Sequence, residues 1–163
     1  MRVKDVMVTS VIVCRTTQNL AEVVETMREQ RCGALPVLDS HSRVMSMITD
    51  RDMCIALGTR NVKASDLRVE DVSLPTVFTC APYDDVHLAL TTMVCQNVRR
   101  LPVVSRAGEL SGIVSIDDLV RRSEKRPAKG GISHEEIATA MKMILVNRVP
   151  RARAGSRLVT APA

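Results

Sequence analysis

The sequence contains an internal duplication, and this feature constrains the fold more than any other. A shift of 66 residues aligns positions 3–52 with positions 69–118 without a gap, and twelve of the fifty aligned pairs are identical. The longest identical run is the L-P-V of residues 35–37, which recurs at 101–103. Each copy is too short to bury both faces of a small sheet by itself. The chain is therefore predicted to fold as two similar and mutually dependent halves.

Each copy predicts a β-α-β-β-α unit. An extended apolar stretch at 11–13 precedes a helix in the first copy, two strands follow at 34–38 and 44–48, and a second helix starts near Thr49. The second copy repeats this plan at 77–79, 100–104, 110–114 and near Ser115. The apolar helix positions have the spacing of an amphipathic helix, with Asn19 and Asp85 as N-caps. These positions are Leu20, Val23, Val24 and Met27 in the first copy and Val86, Ala89, Leu90 and Met93 in the second.

The predicted fold class is α/β, with two pseudo-symmetric repeats packed sheet to sheet, a C-terminal helix and a basic tail. The expected boundaries are repeat one at 1–57, a connector at 58–68, repeat two at 69–123, and a linker, helix and disordered basic tail at 124–163. Ser133 and Glu136 form a capping-box pattern that starts a helix reaching about residue 146. Its apolar stripe consists of Ile137, Met141, Ile144 and Leu145, so the helix is expected to dock on the body formed by the two repeats or on a partner chain. The tail carries Arg148, Arg151, Arg153 and Arg157.

Composition excludes several classes of protein. Aromatic residues number only two, Phe78 and Tyr83, so base stacking on single-stranded nucleic acid is disfavoured. No apolar run reaches the roughly 18 residues that span a bilayer, and no signal-peptide pattern opens the chain, so a cytoplasmic location is expected. The five cysteines are odd in number and lack C-x-x-C spacing, which favours free thiols over disulfides or zinc. Cys14 and Cys80 occupy equivalent positions, and both buried thiols and a redox pair remain open for them.

Several motifs carry a resemblance to a known family. They are D-V-M near the start, G-A-L-P-V-L followed by M-I-T-D-R-D, and R-R-L-P-V-V followed by G-I-V-S-I-D-D. The sequence resembles a tandem pair of CBS domains over about residues 3–123, and it is similar to the small stand-alone two-CBS proteins of bacteria. The resemblance implies two related clefts between the copies, which in many members bind AMP, ATP or other adenosyl compounds, and it implies pairing into a homodimer.

The resemblance also places a hydroxyl residue, and an aspartate three positions later, at each cleft. In this sequence they are Thr49 with Asp52 and Ser115 with Asp118. The start of a helix offers free backbone N–H groups to a phosphate, and a carboxylate can accept hydrogen bonds from two ribose hydroxyls. The same spacing is close to a capping box, so a purely structural role for these residues remains open.

The residues before each L-P-V run are expected to face the clefts as well. They are Cys32, Gly33 and Ala34 in the first copy and Val98, Arg99 and Arg100 in the second. One cleft is expected to combine Val11, Ile12, Cys32, Gly33, Ser115 and Asp118, and the other Val77, Val98, Thr49 and Asp52. A glycine of the motif is kept at Gly112 but is replaced by Ser46 in the first copy. The cleft with Ser115 and Asp118 is therefore expected to be the occupied one.

The predicted function is that of a non-catalytic sensor of an adenosine-containing ligand, which needs no cofactor and regulates an unidentified protein. The alternative is a protein- or nucleic-acid-interaction protein that acts through its basic tail. The net charge of +5 is concentrated towards the C-terminus, because residues 121–163 include ten Lys and Arg but only three Glu. Nucleic acid is disfavoured, because arginines without a structured reading element give only salt-sensitive, nonspecific binding. An enzyme is disfavoured too, because no nucleophile, base and orienting group occur at recognisable spacing.

Overall fold

The computed structural model describes residues 1–73 and 76–148. It is a mixed α/β protein with two small sheets. The elements are β1 (Cys14–Arg15), α1 (Leu20–Gln30), β2 (Ala34–Leu38), β3 (Val44–Thr49), α2 (Asp50–Arg60), α3 (Val86–Cys95), β4 (Arg100–Val104), β5 (Leu110–Ser115), α4 (Ile116–Arg122) and α5 (His134–Arg148). Short 3-10 turns occupy Val3–Asp5, Ala64–Asp66 and Val69–Asp71. None of the helices in the described ranges is long and apolar enough to cross a membrane.

The two sheets are related by the duplication. In the first, β1 runs parallel to β2, and β2 pairs antiparallel with β3, so that Ala34 lies opposite Thr49. In the second, β4 and β5 pair in the equivalent register, with Arg100 opposite Ser115. The expected strands at 11–13 and 77–79 do not form, because the parallel pairing with β2 and β4 begins only at residues 14 and 80. A short run of apolar residues favours extended backbone but does not specify a pairing partner.

The helix faces were predicted correctly except at one position. Asn19 and Asp85 cap α1 and α3 by accepting hydrogen bonds from the backbone N–H groups of residues 22 and 87. The predicted apolar positions are buried apart from Val24, which is 42% exposed although its counterpart Leu90 is only 7% exposed. The difference arises because α5 packs against α3, and Leu90 shares a core with the apolar residues of α5. No helix among the described residues covers α1 in the same way.

The two repeats exchange short segments, because each completes its core with residues from at or just before the start of the other repeat. Val3 and Val6 lie in the hydrophobic core of the second repeat, whereas Leu67 and Val69 lie in that of the first. Backbone hydrogen bonds fix the exchange, since the Val3 N–H donates to the carbonyl of residue 84 at 3.0 Å and the Val69 N–H to that of residue 18 at 2.9 Å. The segment 58–68, which was expected to be a polar connector, thus supplies Leu67 to the core of the first repeat.

The C-terminal helix packs onto the second repeat, so the first of the two docking partners that its apolar stripe left open is the one observed. Ser133 and Glu136 form the predicted capping box, and the Glu136 carboxylate also lies 3.2 Å from Nε2 of His87 on α3. Within residues 134–146 of the helix the buried residues are Ile137, Ala140 and Ile144, so the buried face includes Ala140, which was not predicted. The prediction was wrong for Leu145, which is 49% exposed because it is turned about 100° away from Ile144. The arginines at 151, 153 and 157 lie outside the described residues.

The two equivalent cysteines behave as buried core thiols. Cys14 and Cys80 are buried, and desolvation raises the pKa of each thiol to about 12. At pH 8 only about one molecule in ten thousand would carry the reactive thiolate at either position. Cys54 and Cys95 are exposed.

We therefore expect a thiol reagent at pH 8 to modify Cys54 and Cys95 rapidly and to leave Cys14 and Cys80 intact, as mass spectrometry of the labelled peptides would show. The denatured protein is the control, because all five cysteines should then react. Native labelling of Cys14 or Cys80 at a rate comparable with Cys54 would contradict the burial and favour a redox role.

Candidate functional site

The hydroxyl-and-aspartate pair of the first repeat forms a complete capping box. Thr49 precedes α2, and its backbone N–H and its hydroxyl donate to Oδ2 of Asp52 at 3.0 and 2.6 Å. The N–H of Asp52 donates in return to the Thr49 hydroxyl at 3.2 Å. The structural role that the sequence left open is therefore present. The capping box uses only Oδ2 of the Asp52 carboxylate. The other oxygen, Oδ1, accepts no hydrogen bond from the part of the chain that the structure describes.

The equivalent pair of the second repeat has the same capping box and one further contact. Oδ2 of Asp118 accepts hydrogen bonds from the backbone N–H and the hydroxyl of Ser115, which precedes α4. Its other oxygen, Oδ1, accepts a hydrogen bond from Nη1 of Arg121 at 3.2 Å. Both oxygens of this carboxylate thus have partners. Ser115 and Asp118 are both buried.

A small cavity lies beside Ser115, and we refer to it as the Ser115 cleft. Its volume is about 190 Å³. It brings together seven of the residues that the sequence assigned to the clefts, namely Val11, Ile12, Cys32, Ala34, Arg100, Ser115 and Asp118. The cleft therefore combines the start of the first repeat with the helix start of the second, which is the combination that was expected.

A larger cavity of about 600 Å³ lies on the side of Thr49 and Arg99, and we refer to it as the Arg99 cleft. Its lining includes Thr49 and Val98, as expected, together with Gly33, Ala34, Arg99 and Arg100. Gly33 thus lies here rather than in the Ser115 cleft, and neither Asp52 nor Val77 is part of this lining. Sequence reasoning missed Asp50 and Arg51, which also line the cavity. Both belong to the T-D-R-D motif, which could have drawn attention to them.

The Arg99 cleft has a basic wall. Arg51, Arg99 and Arg100 all line it, and within the described residues none of them forms an ion pair with a carboxylate. The start of α2 adds the positive end of a helix dipole, which favours a negative charge, although the backbone N–H groups of residues 50–52 already donate to acceptors within the protein. Asp50 is the acidic residue of the lining, and its Oδ1 accepts the N–H of Arg51 at 2.7 Å. The arrangement can bind an anionic group such as a phosphate.

The two glycines of interest serve close packing within the protein. A Cβ atom at Gly33 would lie 2.9 Å from Oδ2 of Asp50, so the carboxylate, rather than a bound ligand, occupies the space that the glycine leaves. A Cβ atom at Gly112 would lie 2.9 Å from the carbonyl oxygen of Val8, which pairs with Ile113 across the edge of the second sheet. The equivalent residue of the first repeat, Ser46, is buried with its hydroxyl unpartnered among the described residues, and it lines neither cleft.

Comparison with known proteins agrees with this fold. The CBS domain model matches residues 3–59 and again residues 69–125. The chain belongs to the CBS domain family and contains two copies of the domain. An uncharacterized 17.7 kDa protein of Acidianus ambivalens is 35% identical over 120 residues, which cover 74% of this chain and 71% of that protein. The chain spans only 57%, 34% and 41% of three further relatives.

Solved structures of CBS domain pairs share the architecture. The CBS domain pair of protein MJ0100, in complex with 5'-methylthioadenosine and S-adenosyl-L-methionine, has a TM-score of 0.67 at 23% identity and covers 74% of this chain and 94% of its own. The protein CBSX2, in complex with AMP, has a TM-score of 0.64 at 22% identity and covers 74% and 93%. At these identities the similarity establishes the fold.

Proposed function

We propose that this protein is a non-catalytic, cytoplasmic regulatory module that binds an adenosine-containing ligand, such as AMP or ATP, in the clefts between its two repeats. The observation that carries the proposal is the Arg99 cleft. Its volume of about 600 Å³ lies within the range of about 300–1,000 Å³ that is usual for small-molecule sites. Three arginines that have no carboxylate partner among the described residues line this cleft, and so does the N-terminus of a helix.

The lining suggests how such a ligand is held. Phosphates are placed against Arg51, Arg99 and Arg100, where bidentate hydrogen bonds from the guanidinium groups are available. The base is placed against the apolar side chains of Met47 and Val98. The ligands named for the related CBS pairs, AMP and S-adenosyl-L-methionine, share the adenosyl group and support this assignment. The Ser115 cleft, at about 190 Å³, is too small for a whole nucleotide without adjustment.

A thermal-shift screen tests the proposal. The compounds are AMP, ADP, ATP, S-adenosylmethionine and NAD, each with its guanosine or non-adenosyl counterpart where one exists. A ligand at 100 times its Kd adds about 2.7 kcal/mol to the free energy of unfolding, which corresponds to a rise in Tm of roughly 5–10 °C for a chain of this size. Inorganic triphosphate is the control, because it occupies an anion site without a nucleoside. No rise in Tm with any adenosyl compound would contradict the proposal.

We further propose that the protein is a homodimer. Four helices each present a large apolar side chain to solvent, at Val24 on α1, Ile55 on α2, Leu88 on α3 and Met143 on α5. A second copy of the chain would bury these residues, as the resemblance to the paired CBS modules implies. Light scattering at micromolar concentration should therefore give about twice the chain mass of 17.9 kDa. A monomer with and without nucleotide would contradict the expectation.

A further inference from the structure

Among the described residues that line the Arg99 cleft, Asp50 is the one acid. It is the first residue of α2, and its Oδ1 accepts the backbone N–H of Arg51 at 2.7 Å. Its Oδ2 lies over Gly33, at 2.9 Å from where a Cβ atom would be. Both neighbours line the cleft themselves, so the carboxylate lies in the cleft wall. Within the described ranges no arginine forms an ion pair with Asp50, and its charge is not neutralised there.

The duplication shows that a helix of this kind can begin without a carboxylate at this position. The residue equivalent to Asp50 in the second repeat is Ile116, which is buried and uncharged. The helix α4 nevertheless begins with the same capping box as α2. The negative charge at residue 50 is therefore a feature of the repeat that contributes the helix start to the Arg99 cleft.

The positive charges of this lining match a single phosphate group. Its three guanidinium groups, of Arg51, Arg99 and Arg100, can donate to the three non-bridging oxygens of one phosphate. The backbone N–H groups of residues 50–52 already donate within the protein. A second or third phosphate thus meets no further cation among the described lining residues, and the Asp50 carboxylate repels it. In water, two like unit charges roughly 8 Å apart weaken binding by about a factor of two.

We propose that Asp50 is a specificity-determining residue, which makes the Arg99 cleft a site for a nucleoside monophosphate and disfavours the triphosphate. It acts through its charge and without a contact to the ligand. The inference rests on the proposed function, because it narrows the adenosine-containing ligand to the class with one phosphate. The three arginines would otherwise attract a triphosphate more strongly than a monophosphate.

Asp50→Asn tests the inference, because asparagine can keep the oxygen that accepts the Arg51 N–H and removes the charge. Asp50→Ala is the second variant, because it adds no amide that could donate to a phosphate. Asp117→Asn is the matched control, since Asp117 is an exposed acid in the first turn of α4 and lines neither cleft. Adenosine, AMP and ATP, with about zero, two and four negative charges at pH 8, are titrated calorimetrically into the intact protein without divalent cations.

In the wild type, AMP should bind at least as tightly as ATP. Asp50→Asn and Asp50→Ala should leave adenosine unchanged and strengthen AMP about fourfold and ATP about fifteenfold, because each ligand charge contributes about a factor of two. The gain should shrink when the salt concentration is raised from about 50 to about 300 mM, and Asp117→Asn should show a much smaller gain.

Weaker binding of adenosine in both Asp50 variants would overturn the inference and identify the carboxylate as a hydrogen-bond acceptor for the nucleoside. A gain that is equal for AMP and ATP, or no gain at all, would overturn it as well and leave the proposed function intact. The same holds for wild-type binding of ATP that is tighter than that of AMP. No wild-type binding of adenosine, AMP or ATP would contradict both the inference and the proposed function.

Discussion

Dividing the chain between Asp66 and Leu67 should leave both pieces unfolded. The piece 1–66 loses Leu67 and Val69 from its core, and the piece 67–163 loses Val3 and Val6. Fully burying one such side chain contributes about 1.5–3 kcal/mol, so each piece loses about 3–6 kcal/mol. A native domain has only about 5–15 kcal/mol of stability in total. Circular dichroism should therefore show no cooperative thermal transition for either piece alone.

The matched control is the chain that ends at residue 148, which keeps every core residue that the structure describes. It should melt within about 1 °C of the full chain, because the composition of the tail offers almost nothing to a core. An equimolar mixture of the two pieces is expected to regain helical signal, since each piece supplies the segment that the other lacks. A cooperative transition for 1–66 by itself would show that the exchanged segments are dispensable.

The second large effect is expected at the first-repeat carboxylate, where Asp52→Asn should weaken the binding of an adenine nucleotide about tenfold to a hundredfold. Asparagine can keep one acceptor oxygen for the Thr49 N–H, so the helix start keeps part of its cap. It removes the negative charge and the second acceptor that ribose hydroxyls require. Hydrogen bonds to a charged group contribute about 1.5–3 kcal/mol, which corresponds to the stated loss of affinity. Isothermal titration calorimetry measures it.

Asp71→Asn is the matched control for this variant. Asp71 accepts the backbone N–H of Arg68 at 2.9 Å at the start of a 3-10 turn. Neither aspartate is itself part of a cleft lining, but Thr49, which donates to Asp52, lines the Arg99 cleft, whereas no residue of 68–71 lines either cleft. Its replacement should lower Tm by an amount similar to that of Asp52→Asn and leave nucleotide affinity unchanged. Equal affinities in the wild type and both variants would mean that the Asp52 carboxylate is only a helix cap.

Much of the fold could be predicted from the sequence, because the duplication aligns two weak patterns and so strengthens both. The β2 and β4 bounds, the caps at Asn19 and Asp85 and the docking of α5 all follow from local spacing. The exchange of segments could not be predicted. Val3 and Val69 are identical in the two copies, so nothing in either one indicates which core it enters. The exposure of Val24 was equally unpredictable, because it depends on a helix that covers only one repeat.

The candidate site was predicted in part. The family resemblance predicted that Val11, Ile12 and Cys32 lie in the same cleft as Ser115, and in the structure all four line one cavity. Their contact with a ligand remains a prediction. The basic wall could not be anticipated in full, because Arg51 is a helix residue that reaches the cleft only once α2 is packed beside residues 97–100. Spacing within one repeat carries no information about which residues of the other repeat it meets.

The most direct measurement of the central claim is a calorimetric titration of the intact protein with AMP and ATP, with orthophosphate and GMP as parallel ligands. A regulatory module with an adenosyl site should bind AMP or ATP saturably, with no more than two ligands per chain, while orthophosphate and GMP at the same concentrations bind far more weakly. Equal heats for AMP, GMP and orthophosphate would mean that the Arg99 cleft binds anions in general and does not recognise the adenosyl group. No saturable binding of either adenine nucleotide up to millimolar concentration would contradict the account.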